Sequence, residues 1–250
     1  MPDAQPVSEP TMVLALCVAA TLLEVTLVLV LHRAVPSGWR REVSGSPLWS
    51  WYFGGFHQGV VFPVTTALAL WPVFTGDMTF GAWIRSSFSD GSAPEGCVWF
   101  HVALVAYWAK DCLAVKLSAL IWAHHLVCLL SASASICGFL PRSAGIYTLG
   151  AAVLEFGSLA NSVCEVQPGQ RGQAIRPYLT PMMASSNATA IGLVVWYTCA
   201  FDGATRETIV WSVAAAVGSA LSVVRQQEWN SRVKTNEVGE RFRKAVKGSS

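Results

Sequence analysis

The feature that most constrains this chain is a series of apolar runs, each about as long as a bilayer is thick. They fall at residues 11–31, 47–71, 98–115, 117–140, 144–163, 178–201 and 209–224. A membrane span needs about 20 consecutive apolar residues, and in hydrocarbon a helix can satisfy its own backbone polar groups. The sequence therefore predicts an all-α fold, a polytopic transmembrane helical bundle of about seven spans. Only 13% of the residues are charged, against roughly 25% in soluble domains. Residues 1–224 read as the bundle and 225–250 as a basic cytoplasmic tail. Pro63 and Pro181 are expected to kink the second and sixth spans.

Basic residues set the expected orientation. Arg33, Arg40, Arg41, Lys110, Lys116, Arg171, Arg176 and the seven from Arg225 to Lys247 fall on one side, and Arg85, Arg142 and Arg206 on the other. This asymmetry puts the N-terminus outside and the C-terminus in the cytoplasm. The acids and prolines of the first ten residues are unlike a targeting peptide, so the first run is expected to be a retained anchor.

Counting 1.5 Å per helical residue then places polar groups by depth. Glu24, His57, Gln58, Asp111, His124, His125, Glu155 and Asn187 all fall in one layer, about 8 to 15 Å from the cytoplasmic face. Six helices contribute, and a polar chamber opening inward is expected. The seventh run offers only Ala214, Ala215 and Ala216 there, which suits close packing. It has no lysine for a retinal Schiff base, which argues against that seven-helix class.

His124 and His125 stand at the centre of this pattern. A neutral imidazole accepts a proton or acts as a nucleophile, and a carboxylate beside it stabilises the cation that forms. Asp111 and Glu155 are the candidate partners. The two histidines differ by about 100° around a helix, so one is expected to face the chamber and the other a neighbouring helix. A structural polar network locking helices together uses the same residues. His57, His101, His124 and His125 are candidate metal or haem ligands, although the HxxxH and HxxHH boxes of di-iron lipid enzymes are missing, and the expectation is no metal. The cysteines show no CxxC pair and read as small buried hydrophobes. Residues 75–96 are expected to form a loop or a short interfacial helix anchored by Trp83. The spaced apolar residues of the tail suggest a basic helix on anionic headgroups. No phosphate-binding loop and no basic stripe for nucleic acid is present.

Three stretches carry a family resemblance: Tyr107-Trp-Ala-Lys-Asp111, His124-His125-Leu-Val-Cys128 and Leu154-Glu155-Phe-Gly-Ser158-Leu-Ala-Asn161. In order and separation they resemble the TLC domain family, which includes the ceramide synthases, the translocating-chain-associating membrane proteins and smaller lipid-homeostasis members. The third stretch is similar to the Glu-x-Ser-x-Pro-x-x-Asn signature of the smaller members, with the proline missing. Ceramide synthases carry two acids three residues apart on the helix after the His pair, where this chain has Ala152 and Glu155, and a threonine where it has Cys128. The resemblance thus favours the smaller branch. It implies membrane lipid binding or handling and an endoplasmic-reticulum location; the residues expected around the substrate are His57, Gln58, Glu24 and Asn187 by their depth and Ser158 and Asn161 by the third stretch. The alternatives are an N-acyltransferase that uses His124, His125, Asp111 and Glu155 with acyl-CoA as co-substrate, and a non-catalytic subunit contacting membrane protein partners. Either way no bound cofactor is expected.

A reporter fused to the C-terminus is expected to be digested by protease added to the cytoplasmic side of sealed vesicles, and one at the N-terminus to be protected. The reverse pattern would overturn the orientation.

Overall fold

Polar linkers between the apolar runs decide where each helix stops. The computed structural model describes residues 9–44, 46–115, 117, 119–167, 171–201 and 203–248, with the backbone alone at 119–121 and 235–248. Lys116, Ser118 and the side chains of the distal tail, with its expected headgroup contacts, lie outside the described residues.

The fold is all-α apart from one antiparallel pair of two-residue strands, β1 (Glu42–Val43) and β2 (Ser46–Pro47). Helix α1 spans Pro10–Ala34. Helix α2 (Leu48–Phe56) passes through a π turn at His57–Val61 into α3 (Phe62–Phe74), making one long rod. A short α4 (Phe80–Ile84) precedes α5 (Glu95–Ala114), α6 (Ala119–Ile136) and α7 (Ala144–Val166). Helices α8 (Arg171–Ile175), α9 (Thr180–Cys199) and α10 (Thr205–Gly248) complete the chain. Each of the seven apolar runs is thus helical. Among the described residues, α1, α7 and residues 205–234 of α10 are long and apolar enough to cross a membrane.

Helix α5 is the most enclosed, with α1, α3 and α6 packed around it. On the other side α7 packs on α9 and α9 on α10, while α2 joins the halves by lying against α7. The outer faces are apolar: Leu22 and Leu23 of α1 and Ile209 and Val213 of α10 are exposed. That arrangement suits a hydrocarbon surround. Close approach needs glycine at one crossing in particular. A Cβ on Gly96 would stand 2.2 Å from the Ala69 backbone nitrogen, so α5 meets α3 there only without a side chain.

Several expectations change on folding. Pro63 does lie in the interior of a long rod, within a turn of the π segment. Pro181 instead occupies the first turn of α9, where its missing N–H costs nothing, so it starts a helix and does not kink one. Trp83 is not an interfacial anchor; it is fully buried and its indole N–H donates to the Ala69 carbonyl at 2.7 Å. All seven cysteines are free, and Cys137 and Cys199, at helix ends, are exposed rather than buried. Helix α10 also runs unbroken past Val224, carrying Arg225 and the buried Trp229 into the bundle.

Replacing Gly96 by alanine is expected to destabilise the protein by about 1–3 kcal/mol through overpacking. Gly192→Ala, with open space around its Cβ position, should be neutral or stabilising by up to about 1 kcal/mol. Thermal unfolding in detergent compares the two.

Candidate functional site

The polar residues assigned to one layer meet as two linked clusters. The first forms at the π turn, a distortion often found at functional sites. There His57 and Gln58, adjacent in sequence, serve different neighbours. His57 turns to α1, with Nδ1 3.0 Å from the Phe53 carbonyl oxygen and Nε2 3.0 Å from Glu24 Oε1. A carbonyl only accepts, so Nδ1 carries a proton. Glu24 Oε2 is buried without a hydrogen bond. Gln58 turns to α7: its amide donates to Glu155 Oε2 at 3.2 Å and its carbonyl accepts from the Ser162 hydroxyl at 2.7 Å. The Tyr107 ring stacks on His57 with centroids 5.1 Å apart and links the two sides.

The second cluster lies where α5 faces α6. The Lys110 ammonium, 2% exposed, sits 2.8 Å from Asp111 Oδ1 and over the rings of Phe53 and Tyr107, at 4.6 and 4.4 Å from their centroids. A carboxylate and two π faces thus replace its water. Asp111 Oδ2 is 3.8 Å from His125 Nδ1, beyond hydrogen-bond reach, and Nδ1 is buried without a partner. His124 points elsewhere: its Nε2 lies 3.7 Å from Cys128 Sγ, one turn along α6.

Two cavities open beside these groups because α6 leans only loosely on α7. The first, about 290 Å³, is the more polar of the two and takes in Asp111, His124, His125, Glu155, Ser158 and Asn161. The second, about 210 Å³, runs between α6, α7, α9 and α10 and is walled mainly by apolar groups such as Val127, Leu193, Val194 and Leu221. His124, Glu155, Ser158 and Arg225 border both.

Of the residues expected at the site, His124, His125, Asp111, Glu155, Gln58, Ser158 and Asn161 line the first cavity. Glu24 and His57 form their pair outside it. Asn187 stands behind the wall, where its Oδ1 accepts from Arg225 at 2.8 Å and its amide donates to Gln226 at the same distance. The Asn161 carbonyl oxygen accepts from Arg176.

Two residues went unrecognised in the sequence. Lys110 counted only as a basic residue near a membrane boundary, and Arg225 only as the start of the tail. Arg225 donates to the Leu154 carbonyl at 2.7 Å and the Ser158 hydroxyl at 2.9 Å as well as to Asn187. Gly157 makes room for it, since a Cβ there would lie 2.1 Å from Ser186 Oγ and 2.9 Å from the Arg225 guanidinium. A signal did exist: Ala214, Gly218, Leu221 and Arg225 continue one helical face at spacings of four, three and four.

The four histidines do not converge. His101 is buried apart, with Nδ1 2.9 Å from the Cys97 carbonyl oxygen and its ring edge-on to Phe88. Among the described residues, no group of three or more His, Cys, Asp or Glu side chains could hold a metal ion.

Comparison with protein-family models, with curated proteins and with solved structures finds no match to this chain.

Lys110→Met leaves the Asp111 carboxylate buried and is expected to cost about 3–5 kcal/mol, whereas Lys110→Met combined with Asp111→Leu recovers most of that loss. Unfolding of both variants in detergent tests this. Equal destabilisation would show that the pair itself is unimportant.

Proposed function

We propose that this chain is an integral membrane protein of about seven spans that holds a membrane lipid or similar amphiphile. The head group occupies the polar cavity and the hydrocarbon chain the apolar one. One observation carries this reading: the two cavities adjoin, and a single wall of His124, Glu155, Ser158 and Arg225 borders both. Most ligand pockets are mainly apolar with a few convergent polar groups, and the arrangement suits a molecule that is polar at one end only. The motif resemblance to the smaller TLC-domain proteins supports the same reading, and with it membrane lipid homeostasis in the endoplasmic reticulum. Asp111 and Glu155 line the first cavity, which favours a role in binding over one in helix packing alone.

A second reading is acyl transfer, favoured by the place of His124 at the junction of the cavities. From there its imidazole would take the proton of an attacking amine while the thioester of an acyl-CoA is cleaved and free coenzyme A leaves. Asp111, 3.8 Å from His125, would act on the neighbouring ring by its charge alone.

Native mass spectrometry of protein purified in mild detergent is expected to find a retained amphiphile, reduced severalfold by Leu193→Trp, which fills the apolar cavity. No retained mass, and no uptake of added single-chain lipid, would overturn the lipid reading. Release of coenzyme A from a long-chain acyl-CoA that is lost in His124→Ala/His125→Ala, in protein of unchanged thermal stability, would establish the second.

A further inference from the structure

Charge pairing around the cavities points to the kind of head group they accept. Among the described residues, five with charged side chains line the first cavity: Asp111, Glu155, Arg225, Glu228 and Arg232. Asp111 is paired with Lys110 at 2.8 Å. Arg232 pairs with Glu228 and, at 3.3 Å, with Glu165. Glu155 and Arg225 alone among these have no ion pair within 4 Å to a described residue, and among the described residues they are also the only Asp, Glu, Lys or Arg lining the second cavity.

The partners they do have are neutral. Glu155 accepts from the Gln58 amide. Arg225 donates through its two terminal nitrogens to Asn187, Ser186, Ser158 and the Leu154 carbonyl, and makes no hydrogen bond through Nε. These bonds pin the guanidinium in place without neutralising it. Each of the two residues is the other's opposite charge across the wall, so the two charges are balanced at a distance and not by contact.

An occupant with a single charge would satisfy one of these groups and leave the other buried and uncompensated, a costly arrangement. A neutral head group would meet neither charge. We infer that the site takes a zwitterionic single-chain amphiphile: its anionic group on the Arg225 guanidinium, its ammonium on the Glu155 carboxylate, and its chain in the slot beside Leu193 and Leu221. One chain follows from size, since cavities of about 290 and 210 Å³ each fall below the range for ligand pockets, roughly 300–1,000 Å³, and leave no room for a second chain. This inference rests on the lipid-holding reading above and adds the head-group class and the residues that select it.

The test is binding of lysophosphatidylcholine, lysophosphatidic acid and monoacylglycerol of equal chain length to the full chain in nanodiscs, measured by native mass spectrometry. Lysophosphatidylcholine is expected to bind about tenfold or more tightly than either of the others. Arg225→Gln removes that preference, whereas Glu155→Gln, close in shape and neutral, shifts it toward lysophosphatidic acid. Thermal stability of each variant separates loss of the site from loss of fold. Equal binding of all three head groups by the unmodified protein would overturn the zwitterion assignment and leave the lipid reading standing. Binding of none of them would overturn both. Phosphocholine without a chain, bound as tightly as the lysolipid, would reassign the site to a soluble ligand.

Discussion

A charged group withdrawn from water must be met within hydrogen-bond reach or it destabilises the fold by several kcal/mol. In this bundle Lys110 and Asp111, at the end of α5, meet that demand by contact with each other. The ammonium is enclosed by the carboxylate and by the rings of Phe53 and Tyr107. Those rings come from α2 and α5, so the pair fixes how the π-containing rod lies against the central helix. Tyr107 in turn stacks on His57, whose other ring nitrogen reaches Glu24 on α1. Three helices are thereby registered to one another through groups that hydrocarbon cannot solvate.

The other half of the bundle is ordered differently. Glycine at position 157 lets α9 and α10 approach α7 closely enough for Ser186 and Arg225 to reach it. Trp211 and Trp229 then hold α10 at two levels, donating to the Pro141 carbonyl and the Thr180 hydroxyl at 3.0 Å each. Where these two halves meet, α6 fails to close the gap, and the two cavities remain. Glu165 gathers Arg176, Arg232 and Ser44 at one end, tying α7, α10 and the β1–β2 turn together beside the polar cavity. The space is thus bounded by strong polar contacts at its polar end and by aliphatic side chains at the other.

Hydrophobic run length and period made the helices legible, because a run of about 20 apolar residues has few alternatives. Helical rise alone also gathered Glu24, His57, Gln58, Asp111, His125 and Glu155 into one layer; in the structure Glu24 meets His57 and Gln58 meets Glu155, while Asp111 meets Lys110 in place of His125. Depth along an axis does not say which neighbour a side chain faces. Hence the Glu24–His57 pair stands off the cavity, and Asn187 supports its wall from behind. Trp83 was misread for a related reason: an aromatic residue in a polar linker resembles an interfacial anchor until the linker folds back over the bundle.

What the sequence determined by itself was the all-helical class and where most of the helices run, since both follow from local composition and hydrophobic run length. What only the tertiary structure decided was partnership. Lys110 and Arg225 read as boundary charges along the chain, and their place depends on crossings between helices distant in sequence. Lys110 is held against Phe53 across the α2–α5 contact. Arg225 is held against Leu154 and Ser158 across a gap that Gly157 leaves open. The cavities arise in the same way, from how α6, α7 and α10 pack, and no single stretch of the chain contains that information.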